Sequence, residues 1–304
     1  MDFTPKEHLE VGNYIQYIDE ILHKCDKGIE YCKLCPNESV CSTLEQDEFG
    51  LEGIAISDAL TAIQHALHKI PGYLHHAKRN ELKEQIKRYI NESPAHERNL
   101  WEKNILKKLL DEKLSRQLYR PAETRDKIRT LLTYNEKVSF STYLTCLSEE
   151  SEEILPGTPL LPLRDSVSDI IMIVNKSIGH SDTVSSRPAP AKFYFEMNVF
   201  PFTKDCKLAD IRLSAALCYY ATQQSLAIPE NFIVTGGLDN QGNVLPVESL
   251  GAKIETVLRE LHFVNTILIP ANNPHRIQTS ESVRIIEVEN LEQAIDTVLK
   301  KTIL

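Results

Sequence analysis

Four of the seven cysteines fall between Cys25 and Cys41, at the spacing C-x6-C-x2-C-x5-C. Cys32 and Cys35 form a CxxC pair, which presents two thiolates from one tight turn. Tetrahedral zinc and iron–sulfur clusters are gripped in this way. Cys25 and Cys41 would complete a set of four ligands, and His23 could replace one of them. The neighbours are polar (Lys33, Asn37, Glu38, Ser39), which does not suit a buried apolar role. The reading without a metal is four unligated thiols in a loop at a helix end. Zn²⁺ is the expected ion and an iron–sulfur cluster the alternative; a metal here would supply folding energy to a segment too short to build its own core. A redox CxxC fits less well, because no βαβ pattern surrounds it. Cys146, Cys206 and Cys218 are scattered and expected to be packing residues.

A second stretch, Phe232 to Lys253, carries a different signal. Phe232-Ile233-Val234 reads as a strand, followed by a Gly-Gly joint and a hairpin around Asp239-Asn240-Gln241-Gly242-Asn243. A return strand from Val244 to Val247 leads through Glu248-Ser249-Leu250 into a helix that bears Lys253. In Thr235-Gly236, Gly242-Asn243-Val244-Leu245-Pro246 and Lys253 the sequence resembles the proteolytic domain of the Lon protease family (S16 type). The same pattern occurs in Lon-like domains that are not peptidases, such as that of the bacterial recombination factor RadA. The resemblance covers roughly Ser166 to the C-terminus and is strongest from Ile228 to Pro270.

The resemblance implies a Ser–Lys dyad, in which a desolvated lysine takes the serine proton and backbone amides hold the oxyanion. Lys253 stands at the lysine position, and Thr235 resembles the threonine that orients it. Counted back without gaps, however, the serine position falls on Asp210. The Asp-Gly-Pro-Ser-Ala-Gly-like turn of the peptidases is absent, and Ala209-Asp210-Ile211 is similar to the Ala-Asp-Leu of the RadA-type domains. A carboxylate beside Lys253 would form an ion pair and remove the base. Ser214, one helical turn further on, is the nearby substitute nucleophile. It lies in an apolar run where a hydroxyl more often bonds back to its helix. Cys206 is a weaker thiol candidate.

Several elements must position these residues. Glu7 to Lys24 has helical periodicity, and helices are expected over Ser57–Lys69, Glu81–Ile90, Glu97–Leu118 and Ala122–Thr133. From His75 to Thr130 there are 15 Lys/Arg against 9 Asp/Glu, with Lys103, Lys107, Lys108, Lys113 and Arg116 along one helix. That basic face could track phosphates, but no nucleic-acid motif accompanies it. The acidic run Ser148–Glu153 and the following Pro/Gly-rich segment read as a linker. Asp169–Asn175 and Lys192–Val199 read as strands, Ala209–Gln223 and Ala252–Leu261 as helices, then strands at Thr266–Ile269 and Val283–Val288 and a helix at Glu292–Leu299.

The organisation expected is therefore residues 1–50 (helix and cysteine cluster), 51–147 (helical), 148–165 (linker) and 166–304. The last is an α+β domain for which the resemblance implies the Lon proteolytic fold, related to that of ribosomal protein S5 domain 2. A net charge of −9 argues against a chain built wholly to coat nucleic acid. No apolar run reaches the roughly 20 residues of a membrane span and no signal peptide is evident, so a cytoplasmic location is expected. No Gly-x4-Gly-Lys-Ser/Thr occurs, so the chain carries no phosphate-cradling ATPase loop of that type. The reading that results is a Lon-like domain with a degenerate site, serving assembly or interaction as a homo-oligomer or with a protein partner. The alternatives are an active ATP-independent Ser–Lys peptidase using Ser214 and Lys253, and a RadA-like nucleic-acid-associated factor using the basic helical face.

Overall fold

The computed structural model describes residues 3–34, 53–67, 76–109, 123–124, 126–148, 160–163, 169–178, 191–196, 199–203, 205–273 and 283–299. By compactness the chain divides into Phe3–Arg120 and Pro121–Leu304.

The first unit is helical. Thr4 and Glu7 form a reciprocal capping box at the start of α1 (Pro5–Glu10), with Pro5 at a first-turn position where its missing N–H costs nothing. Helix α2 (Tyr14–Leu34) runs well beyond the Lys24 expected from the sequence. Its apolar stripe, Ile15, Ile18 and Leu22, continues through Cys25 and meets Leu60 and Ile63 of α3 (Ile56–Leu67). Leu82, Ile86 and Ile90 of α4 (His76–Glu92) join the same core. Trp101, at the end of α5 (Ala95–Trp101), and Ile105, in the π-helical turn Glu102–Leu106 that follows, close it. A final turn, α6, covers Lys107–Leu109; Lys103, Lys107 and Lys108 are exposed along this stretch. A Cβ on Gly53 would come within 2.9 Å of the Gly28 backbone, so α2 and the approach to α3 touch main chain to main chain.

The second unit is built on a seven-stranded mixed sheet, which makes it an α+β unit. At its centre β2 (Lys127–Tyr134) and β3 (Val138–Ser148) form an antiparallel hairpin. Beside β2, the strands β7 (Phe232–Val234), β10 (Thr266–Pro270) and β11 (Arg284–Val288) extend the sheet in parallel. Beyond β3, the strands β5 (Ala191–Glu196) and β4 (Leu160–Leu163) extend it antiparallel. Two short ribbons stand outside it: β1 (Glu123–Thr124) with β6 (Ile228–Pro229), and β8 (Gly237–Leu238) with β9 (Val244–Leu245).

Three stretches differ from the sequence expectation. Residues 127–133, expected within a helix, lie in β2, where Ile128, Thr130 and Leu132 alternate with Arg129 and Leu131 across the pleat. Asp169–Asn175, expected as a strand, instead leads into helix α7 (Ile170–Ile178). There Ile170, Ile173 and Val174 are buried at helical spacing while Met172 and Asn175 face out. The segment 148–165, expected as a linker, holds β4 of this sheet, and the compact unit begins at Pro121 rather than at Ser166. The sheet requires this, because its central hairpin lies before residue 148.

After the single turn α8 (Phe200–Thr203), helices cover both sheet faces: α9 (Arg212–Gln223) packs on the side of Thr130, and α10 (Leu250–Glu260) on the side of Leu131. Ile233, Leu250, Ile254, Val257 and Ile267 fill the latter interface. Together β7, the turn before α9 and the first turns of α10 converge on Asp210 and Lys253.

Candidate functional site

Backbone bonds fix Asp210. It sits in a 3-10 turn, Leu208–Ile211, that leads into α9. Gly236 N–H donates to the Asp210 carbonyl at 2.8 Å, and Leu213 N–H donates back to the Gly236 carbonyl at 3.0 Å. A Cβ on Gly236 would lie 2.9 Å from the Leu213 side chain, so only glycine allows this approach without a shift. At the first residue of α9, Arg212 pairs with Asp169 at 2.6 Å and ties the helix to the residue that precedes α7.

Lys253 reaches the same place from α10. It is 0 % exposed, and its Nζ lies 2.5 Å from Asp210 Oδ2; Asp210 is 7 % exposed. Burial pulls the lysine below its ordinary value, while the Asp210 carboxylate, by charge and by hydrogen bond, opposes that fall. Whichever partner holds the shared proton, Nζ is directed at a carboxylate and not at a hydroxyl. An amine so engaged has no lone pair free to activate a serine.

The sequence candidates are thus separated. Lys253 and Asp210 are brought together. Ser214 turns into the sheet, 0 % exposed, with its hydroxyl 2.9 Å from Thr130 Oγ1 and 3.0 Å from the Val234 carbonyl. Thr130 Oγ1 also bonds the Val234 carbonyl at 3.0 Å, so these groups tie α9 to β2 and β7. Thr235 is buried, and its hydroxyl has no hydrogen-bond partner among the described residues. The bond from this threonine to Lys253 that the resemblance implies is not made; Asp210 takes the amine instead. Cys206 donates its thiol to the Phe202 carbonyl at 3.3 Å, and burial pushes that thiol up to about 12, with Asp205 adding and Lys253 opposing. A thiol at that value is not a thiolate at neutral pH.

Above the pair opens a cavity of about 250 Å³, which Asp210 lines from below. Its rim holds residues that sequence reasoning missed. Asn135 and Glu136 are the first two residues of the three-residue β2–β3 turn, both with left-handed backbone (φ 46° and 62°). Ser249, also left-handed at φ 52°, precedes α10 and gives its hydroxyl to the Glu136 carbonyl at 2.8 Å instead of capping its helix. Lys207 spans the mouth, paired with Glu248 and lying 3.9 Å from Glu136. The hydrogen bond to Glu248, followed by the charges of Glu248 and Glu136, raises Lys207 above its ordinary value. Glu136 gives no sequence signal, since a left-handed position in a short hairpin turn is expected to carry glycine or asparagine.

The cysteine set is only partly within the described residues. Cys25 is fully buried in the helical core, and burial pushes its thiol up to about 12. Cys32 follows two turns later on the same helix, while Cys35 and Cys41 lie outside the described residues. Among the described residues no group of three or more His, Cys, Asp or Glu is placed to hold a metal ion. Nor, among them, is any helix long and apolar enough to cross a membrane.

No family model matches the chain. Over 87 residues it is 32 % identical to the archaeal Lon protease of Methanocaldococcus jannaschii, a match that covers 28 % of this chain and 13 % of that protein. The chain is therefore similar to a Lon protease over one stretch and spans a small part of that relative's length.

Proposed function

We propose that the Pro121–Leu304 unit is a relative of the Lon proteolytic domain, of the RadA-like kind, whose dyad has become an ion pair and whose role is assembly or interaction. One observation carries this reading: the amine that a Ser–Lys mechanism would need free lies 2.5 Å from Asp210. The substitute nucleophile, Ser214, is engaged with Thr130 and the Val234 carbonyl of the sheet. A carboxylate at the serine position forms no acyl intermediate of useful lifetime. The retained fold then offers surfaces and a shaped cavity in place of a reaction.

The test is degradation of an unfolded casein substrate by the purified chain, with Lys253→Ala and Ser214→Ala as controls. The expected result is no cleavage above background in any of the three. Cleavage by the parent chain that both substitutions abolish would replace this reading with an active peptidase. Sedimentation of the same preparation reports the self-association that an assembly role requires.

Zinc, or an iron–sulfur cluster, on Cys25, Cys32, Cys35 and Cys41 belongs to the proposal as well. Elemental analysis of the purified protein tests it, and a metal-free preparation that stays folded would remove it.

A further inference from the structure

Helix α2 passes through two of the four clustered cysteines. Cys25 and Cys32 both lie within Tyr14–Leu34, seven residues apart and so two turns along one face. At the rise of an α-helix their Cα atoms stand about 10.5 Å apart. Two cysteines on one zinc ion need a closer approach. The Cα atoms of a disulfide span at most about 7 Å, and a zinc ion between the sulfurs adds about 2 Å, so the full reach is about 9 Å. Positions seven apart on a helix also project in parallel and do not converge. Cys25 is moreover fully buried, in the same core cluster as Ile21, Leu22, Leu60 and Ile86.

We propose that a zinc ion shared by Cys25 and Cys32 and an unbroken α2 exclude each other, so that metal loading opens the helix at Gly28. This rests on the reading of the cysteines as metal ligands and concerns what that reading demands of α2. The break has to fall between the two ligands, and two observations favour Gly28. Glycine is, after proline, the residue least suited to a helix interior, and Gly28 is the only glycine between Cys25 and Cys32. The neighbouring chain also stands ready to take up what the break releases. Ile54 N–H donates at 3.1 Å to the Lys24 carbonyl, the acceptor that Gly28 N–H takes in a regular helix. Opening at Gly28 therefore leaves that carbonyl with a partner. A Cβ at residue 28 would run into the Ile54 carbonyl oxygen, so this close approach itself requires the glycine. Before the break, Ile15, Ile18 and Leu22 hold the rest of α2 in the core. Cys25, on the last turn of that part, exchanges its place in the core for the ion.

The experiment adds Zn²⁺ to the reduced, metal-free full chain and follows the ¹³Cα shifts of α2, which distinguish helix from coil. Binding should move the shifts of residues 28–34 from helical towards coil values, while those of residues 15–22 stay helical. Cys25→Ala should abolish that movement and weaken zinc binding about a hundredfold or more, since a ligand is lost. Cys32→Ala should do the same without touching the core, which keeps the test open if Cys25→Ala does not fold. Zinc bound with residues 28–34 still helical, or bound equally well by the parent and by Cys25→Ala, would overturn the proposal. If the parent takes up no zinc, the metal reading falls and this inference with it; if zinc binds and α2 stays whole, this inference fails alone.

Discussion

Asp210 and Ser214 stand one helical turn apart at the head of the same helix, both more than nine-tenths buried, and they meet opposite surroundings. Asp210 lines a cavity and bonds to the amine of Lys253. Ser214 turns into the sheet and bonds to a threonine hydroxyl and a strand carbonyl. The first pairing joins two groups that carry charge. The second joins neutral groups whose hydrogen bonds are all directed into the fold. The contrast shows why burial is a poor guide to role here: a buried polar residue beside a cavity keeps a chemical option that one inside the sheet has given up.

The sharpest way to break the comparison is to remove one member of the charged pair. Lys253→Met leaves the Asp210 carboxylate buried without a partner and should cost about 3–5 kcal/mol in urea unfolding. Adding Asp210→Leu should restore most of that loss, since an apolar replacement of a buried pair is often neutral. Should the double variant prove no better than the single, the pair would not act as a unit.

A smaller effect is expected on the other side. Ser214→Ala removes one donor from a network in which Thr130 still reaches the Val234 carbonyl, and should cost about 1 kcal/mol. The far larger loss typical of an uncompensated buried charge would erase the distinction between the two sites.

The smallest effect concerns a carboxylate held by neutral donors, Asp239 in the β8–β9 hairpin. It accepts from the Gln241 and Asn243 amides at 2.8 Å and from the Asn243 side chain at 2.9 Å. Burial pushes it up, but these bonds outweigh burial and hold it below the ordinary carboxylate value. A lowered folded value means that the stability it contributes is present above the ordinary carboxylate value. That stability is lost as pH falls through the lowered one. The melting temperature of Asp239→Asn should therefore lie below that of the parent at neutral pH, with the gap closing on the acid side. A gap that does not depend on pH would assign the effect to turn geometry and not to charge.

Much of this was legible in the sequence. The strand at Phe232–Val234, the hairpin after it and the helix carrying Lys253 follow from local patterns that the fold respects, while the meeting of Lys253 with Asp210 is what the resemblance implies and no local pattern gives. The hairpin Lys127–Ser148 was not legible, because Ile128, Leu131 and Leu132 satisfy a helical period as well as a strand one. What decides between them is the pairing of Thr130 with Val234, more than a hundred residues away. Asp169–Asn175 failed in the opposite sense: its β-branched run reads as a strand, yet tertiary packing selects the helical face of Ile170, Ile173 and Val174. Lys207, Glu136 and Glu248 come together only through that hairpin turn and the entry to α10, so no short motif announces them.

The two backbone bonds between Gly236 and the Asp210–Leu213 turn make no use of the side chain at residue 210. The close approach of Gly236 to Leu213 likewise depends on neighbours and not on that carboxylate. Where the Cα of residue 210 sits is therefore set separately from what it carries. A substitution at residue 210 would therefore bring its new side chain to the same spot on the cavity floor. The adaptation required would fall on Lys253, the partner beneath it, and not on the fold.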